Sequence, residues 1–97
     1  MVTTNLVVAE THALLLRRVG YAAALAFVRT VRQPPNVVVV SKEATEQLAI
    51  DDWLTPYDDQ SFSLVDCVSF VVMRERRIAE ALTLDHHFTV AGFRRVA

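Results

Sequence analysis

Between Thr4 and Arg18, residues Leu6, Val7, Glu10, Leu14 and Arg18 fall close to the three-to-four spacing of one helix face. Thr4 or Asn5 is placed to cap that helix, because a short polar side chain can accept from the free amides of a first turn. Gly20 breaks the pattern. It resumes over Tyr21 to Arg32, where Leu25, Val28 and Arg32 share a face and alanines favour the helical state, until Pro34-Pro35 stops it. Four consecutive valines, Val37 to Val40, follow Asn36. Such a run suits a strand buried on both faces, as in a parallel sheet covered by helices. Ser41 then caps a predicted helix running to about Leu54, with Pro56 beyond its end. Tyr57 to Ser61 is a polar loop, Ser63 to Arg77 a helix, Ala81 to Leu84 a strand, and Gly92 to Ala97 a short last strand.

Helices alternating with short apolar strands predict an α/β fold with parallel strands. The pattern opens directly on a helix, which leaves only two or three strands. A sheet that small is marginal alone, and its unpaired edges invite self-association. With 97 residues, and no repeat or linker-like stretch, a single domain over 1–97 is expected.

Composition narrows the class. At 53% hydrophobic the chain is too apolar to be disordered. A net charge of -1 gives no whole-chain signal for nucleic acid, yet nine of the ten basic residues are arginine. They cluster at Arg17-Arg18, Arg74 to Arg77 and Arg94-Arg95. Arginine suits phosphate through its planar fork, but the first two clusters fall at predicted helix C-termini, where cations also offset the helix dipole. The single cysteine, Cys67, sits among apolar neighbours as a buried small hydrophobe and permits no internal disulfide. The N-terminus lacks the charged and apolar regions of a secretory signal, and no apolar run is long enough for a membrane. A cytoplasmic setting is expected.

The candidate chemistry is carboxylate. Asp66 lies in the first turn of a predicted helix, and Asp85 closes a predicted strand. Ser63-x-x-Asp66 also matches a capping box, and Asp85 can cap a short turn at His86-His87-Phe88, so each has a purely structural reading. Glu10 stands on an otherwise apolar face, where burial without a partner would be costly. Three carboxylates converging in a cleft would suit a hard divalent cation and metal-assisted hydrolysis. His86-His87 invites a zinc reading, which adjacency disfavours because neighbouring side chains diverge. Two glycines exclude the P-loop and dinucleotide fingerprints.

Thr4 to Glu10, Tyr57 to Met73, and Ala81 to Phe88 with Ala91-Gly92-Phe93 resemble the PIN-domain ribonucleases. The nearest likeness is to toxin subunits of bacterial VapBC toxin–antitoxin pairs, and it runs through essentially the whole chain. The resemblance implies a parallel sheet flanked by helices and a carboxylate cluster that binds Mg²⁺ or Mn²⁺ and hydrolyses RNA. It also implies a homodimer or larger homo-oligomer and a VapB-like antitoxin. Glu10, Asp66 and Asp85 match the family's second, third and fourth acidic residues, hence catalytic and metal-binding roles. Thr4, Asn5 and Ser63 become candidates for positioning ligands or substrate by hydrogen bonds. The family's first strand, which ends in an aspartate, and its first helix have no counterpart in this sequence, so an N-terminally truncated PIN domain is expected. The same residues allow two other readings: a silent module for oligomerisation or antitoxin binding, and an ordinary α/β binding domain whose carboxylates merely cap and pair.

Overall fold

The computed structural model describes residues 1–83 and 85–96. The chain forms two compact units, Met1–Ser41 and Lys42–Ala97.

In the first unit, strand β1 (Val2–Thr4) runs straight into helix α1 (Asn5–Arg18), followed by α2 (Tyr21–Val31) and strand β2 (Val37–Val39). The two strands pair in parallel, Val2 with Val37 through Thr4 with Val39. The chain therefore opens on a strand, contrary to the sequence expectation. Three residues are too few for a two-residue period to show, and Thr4 belongs to both elements. Its backbone is extended (φ -114, ψ 160), its hydroxyl accepts from the Val7 amide at 3.2 Å, and it is buried. Asn5 Oδ1 accepts from the Ser41 amide at 2.8 Å and so ties the start of α1 to the chain leaving β2. Gly20, at φ 136, makes the turn between the helices in a backbone region that L-residues rarely enter.

The valine strand is not buried on both faces. Val37 is 41% and Val40 64% exposed, while Val38 and Val39 are half-buried. Its described partner is β1 alone, so this is a two-stranded ribbon rather than the interior of a wide sheet.

In the second unit, α3 (Glu43–Ala49) passes into a π-helical turn over Ile50–Leu54. Lys42 rather than Ser41 precedes α3, and its side chain makes no cap. Helix α4 (Leu64–Glu75) is the centre of this unit. Cys67, Val68, Phe70, Val71, Val72 and Met73 are all buried. Phe70 contacts Trp53 and Phe88 with ring centroids 4.9 Å away, Phe62 at 5.1 Å and Phe93 at 5.7 Å. Edge-to-face and offset arrangements of this kind add to the burial of the rings.

The end of α4 is a Schellman motif. The Ile78 amide donates to the Met73 carbonyl at 2.8 Å and the Arg77 amide to that of Arg74 at 3.2 Å, with Arg77 at φ 56 where glycine is usual. Strands β3 (Glu80–Ala81) and β4 (Arg94–Arg95) pair in parallel on either side of the short helix α5 (His87–Val90). Both are shorter than expected, and their expected ends at Leu84 and Ala97 lie outside the described residues. Parallel α/β architecture is thus present as two small sheets. No helix among the described residues is long and apolar enough to cross a membrane.

Candidate metal centre

Asp66 is fixed before any ligand is considered. The Ser63 hydroxyl accepts from the Asp66 amide, and Asp66 Oδ2 accepts from the Ser63 amide, both at 3.1 Å. This is the capping box expected from the sequence, and it aims the carboxylate from the first turn of α4. Asp85 is held by a comparable local device. Its own amide donates to Thr83 Oγ1 at 3.0 Å, and its Oδ1 accepts from the His87 amide at 2.9 Å, opening α5.

The two carboxylates meet at one imidazole. His87 Nδ1 lies 3.3 Å from Asp85 Oδ1 and 3.4 Å from Asp66 Oδ2. The Asp66 and Asp85 oxygens can therefore be no farther apart than the sum of those distances. Neither contact has the length of a charge-assisted hydrogen bond, about 2.7–2.9 Å. The nitrogen is buried and makes no hydrogen bond among the described residues. Phe62 meets the imidazole edge-on, with centroids 5.2 Å apart, and so restrains the ring.

His86 also turns toward this point. Its Nδ1 is 3.7 Å from Asp85 Oδ1, and the two imidazole centroids are 4.5 Å apart. The expectation that adjacent histidines diverge is overturned. His86 precedes α5 with a near-helical backbone (φ -65, ψ -16), so the two imidazoles approach each other through their side-chain conformations. Asp85, His86 and His87 each offer a ligand atom, and those atoms all lie within 4.8 Å of one another.

Glu10 is placed differently. It lies in the first unit, on α1, and is exposed. Burial therefore does not force it into a partnership, because water solvates the carboxylate. Thr4, Asn5 and Ser63 spend their side chains on the backbone: Thr4 caps α1, Asn5 holds the Ser41 amide, and Ser63 caps α4.

Cys67, one residue after Asp66, is fully buried. Burial first, and then the Asp66 carboxylate, pushes its thiol from 9.0 up to about 11, leaving it protonated and inert at neutral pH. Of the arginines, Arg17 and Arg18 close α1 and Arg74 closes α4, as their dipole reading predicts. Arg74 also pairs with Asp52 at 2.6 Å and lies over the Trp53 ring. The sequence raised His87 only in a disfavoured zinc pair and in a turn capped by Asp85; it did not place this imidazole between Asp66 and Asp85. Its signal was its position two residues after Asp85, the offset at which an aspartate caps a backbone amide.

No family model matches the chain. A 23S rRNA-specific endonuclease of Mycobacterium tuberculosis, VapC20, is 38% identical over 93 residues, which span 96% of this chain and 70% of that protein, in both strain CDC 1551 and strain H37Rv. The crystal structure of M. tuberculosis VapC20, a sarcin–ricin loop cleaving toxin, matches with a TM-score of 0.88 and 37% identity. The match covers 95% of this chain and 70% of that one.

Proposed function

The chain belongs to the VapC toxins of the PIN-domain ribonuclease family, and we propose that it is an endoribonuclease using a carboxylate-held Mg²⁺ or Mn²⁺. The observation that carries this reading is the convergence of Asp66 and Asp85 on His87 from two separate elements, each carboxylate aimed by its own hydrogen bonds. Their side chains are 18% and 40% exposed, so oxygen lone pairs remain accessible to an ion and its waters. A site of oxygen donors fits a hard divalent cation.

Asp66 and Asp85 serve as direct ligands in this reading; for Glu10 a ligand or water-orienting role rests on the family's acidic motif alone. When bound, the ion supplies a water of lowered pKa and neutralises charge at the scissile phosphate. A carboxylate would take the proton of the attacking water as its oxygen bonds to phosphorus in line with the bond that breaks, and the expelled ribose oxygen would take a proton from solvent. The Ser63 amide holds the Asp66 carboxylate in place, while Thr4 and Asn5 fix the start of the helix that carries Glu10. Exposed arginines hold the RNA backbone, so affinity should fall as salt rises.

Family membership supports RNA as substrate, a VapB-like antitoxin as partner, a homo-oligomeric state and a cytoplasmic setting. The substrate named for the M. tuberculosis relative, 23S rRNA and its sarcin–ricin loop, is the first to assay. Cleavage should require Mg²⁺ or Mn²⁺. Asp66→Asn should reduce it at least about a hundredfold, since residues that merely orient ligands already contribute about 10–100-fold. Metal-independent cleavage, or an Asp66→Asn protein as active as the parent, would refute the reading. Antitoxin binding without any cleavage would make the chain a silent interaction module.

A further inference from the structure

We propose that Asp85, His86 and His87 form a binding site for a borderline transition-metal ion of the Zn²⁺ type, distinct from the carboxylate-held Mg²⁺ or Mn²⁺ proposed above. The proposal shares Asp85 with that catalytic reading but stands on the imidazoles, so either can fail without the other.

Three observations support it. First, Zn²⁺ binds imidazole nitrogen and carboxylate oxygen at about 2.0–2.2 Å, which separates neighbouring tetrahedral ligands by about 3.3–3.5 Å. Asp85 Oδ1 and His87 Nδ1 are 3.3 Å apart, and His86 Nδ1 is 3.7 Å from the same oxygen. Small movements suffice, and His86, 71% exposed, is free to make them. Second, His87 Nδ1 is buried and makes no hydrogen bond among the described residues, which leaves its lone pair to a metal in the tautomer protonated at Nε2. Third, Asp85 and the His87 ring are already oriented, the carboxylate by the His87 amide and the ring by Phe62. Such outer contacts fix first ligands in metal sites.

The donor chemistry selects the ion. Mg²⁺ takes oxygen ligands and keeps its waters, whereas one carboxylate and two imidazoles suit zinc and its neighbours. Three protein ligands leave a fourth tetrahedral position for water. Asp66 is a neighbour of this set through His87, 3.4 Å away, and not a member of it.

The test is calorimetric titration of Zn²⁺ into the untagged full chain, without RNA. One ion should bind per chain. His86→Ala and His87→Phe should each weaken it about tenfold or more, the phenyl ring keeping the contact with Phe62. Asp66→Asn should leave the affinity within about threefold, although the same change should abolish cleavage if the catalytic reading is right. Equal binding by the parent and both histidine variants would overturn the proposal. So would loss of binding in Asp66→Asn, which would place the ion among the carboxylates. Should the variants fail to fold, imidazole ¹⁵N shifts of the parent decide. Zn²⁺ must move His86 and His87 and spare His12; unmoved His86 and His87 resonances refute the site.

Discussion

Asp66 Oδ2 accepts from the Ser63 amide and also lies beside His87 Nδ1, so a helix cap and a candidate site share one atom. The two roles separate by experiment. Ser63→Ala removes the hydroxyl half of the box and should lower unfolding free energy by about 1 kcal/mol in urea titrations, leaving the Asp66 carboxylate in place. Cys67 gives a second expectation at this scale. Its folded thiol holds a proton that the unfolded chain releases near 9.0, because burial and then Asp66 raise it to about 11. The folded state thus binds more protons between those values, and stability must fall as pH rises through that window. Below pH 9 the contribution is fully present. Comparing the parent with Cys67→Ala over pH 8 to 11 isolates it, and parallel curves would refute the shift.

At the scale of elements, the end of α4 places an arginine where the backbone favours glycine. Arg77 is exposed at φ 56, so Arg77→Gly should relieve roughly 1 kcal/mol of conformational strain, offset in part by greater freedom of the unfolded chain. Thermal unfolding should show a transition no lower than the parent's. Phe70 is the opposite case: fully buried and touching four aromatic neighbours, it should cost about 3–5 kcal/mol as Phe70→Ala. The helices were legible because their signals are local. Thr4, Gly20 and Ser63 mark their boundaries, and the apolar spacing runs for three turns or more. The strands were legible less fully: β1 was missed, and β3 and β4 were expected in place but over longer runs, because elements of two or three residues exist only through their partners. Val37 to Val40 looked like the middle of a sheet, since side-chain character reports a preference for burial and not how many strands lie alongside. Asp66 and Asp85 were legible as candidates. The convergence of His86 and His87 on Asp85 was not, because it depends on side-chain conformations that residue spacing does not report.

For the molecule as a whole, large apolar side chains are exposed in both units, Leu82 of the second at 80%. In the first unit Leu14 and Leu16 are 43% and 45% exposed, and Val19 and Tyr21 are 68% and 71% exposed. These residues occupy the ends of α1 and α2, and such surface is what a second copy or an antitoxin would cover. The isolated chain should therefore self-associate, giving a light-scattering mass of a dimer or more. Leu16→Glu with Tyr21→Glu should shift it toward the monomer. A stable parental monomer would count against this expectation.

Thr4 joins β1 to α1 with no intervening loop. The register of the strand and the rotational phase of the helix are thus geared together, since one residue ends the first and caps the second. Inserting a residue between Thr4 and Asn5 would turn every later position on α1 by about 100°. Glu10 would swing to another side of the helix while every side chain of α1 stayed intact. The compass direction of that carboxylate is therefore set six residues upstream, by a threonine that need never touch metal or RNA.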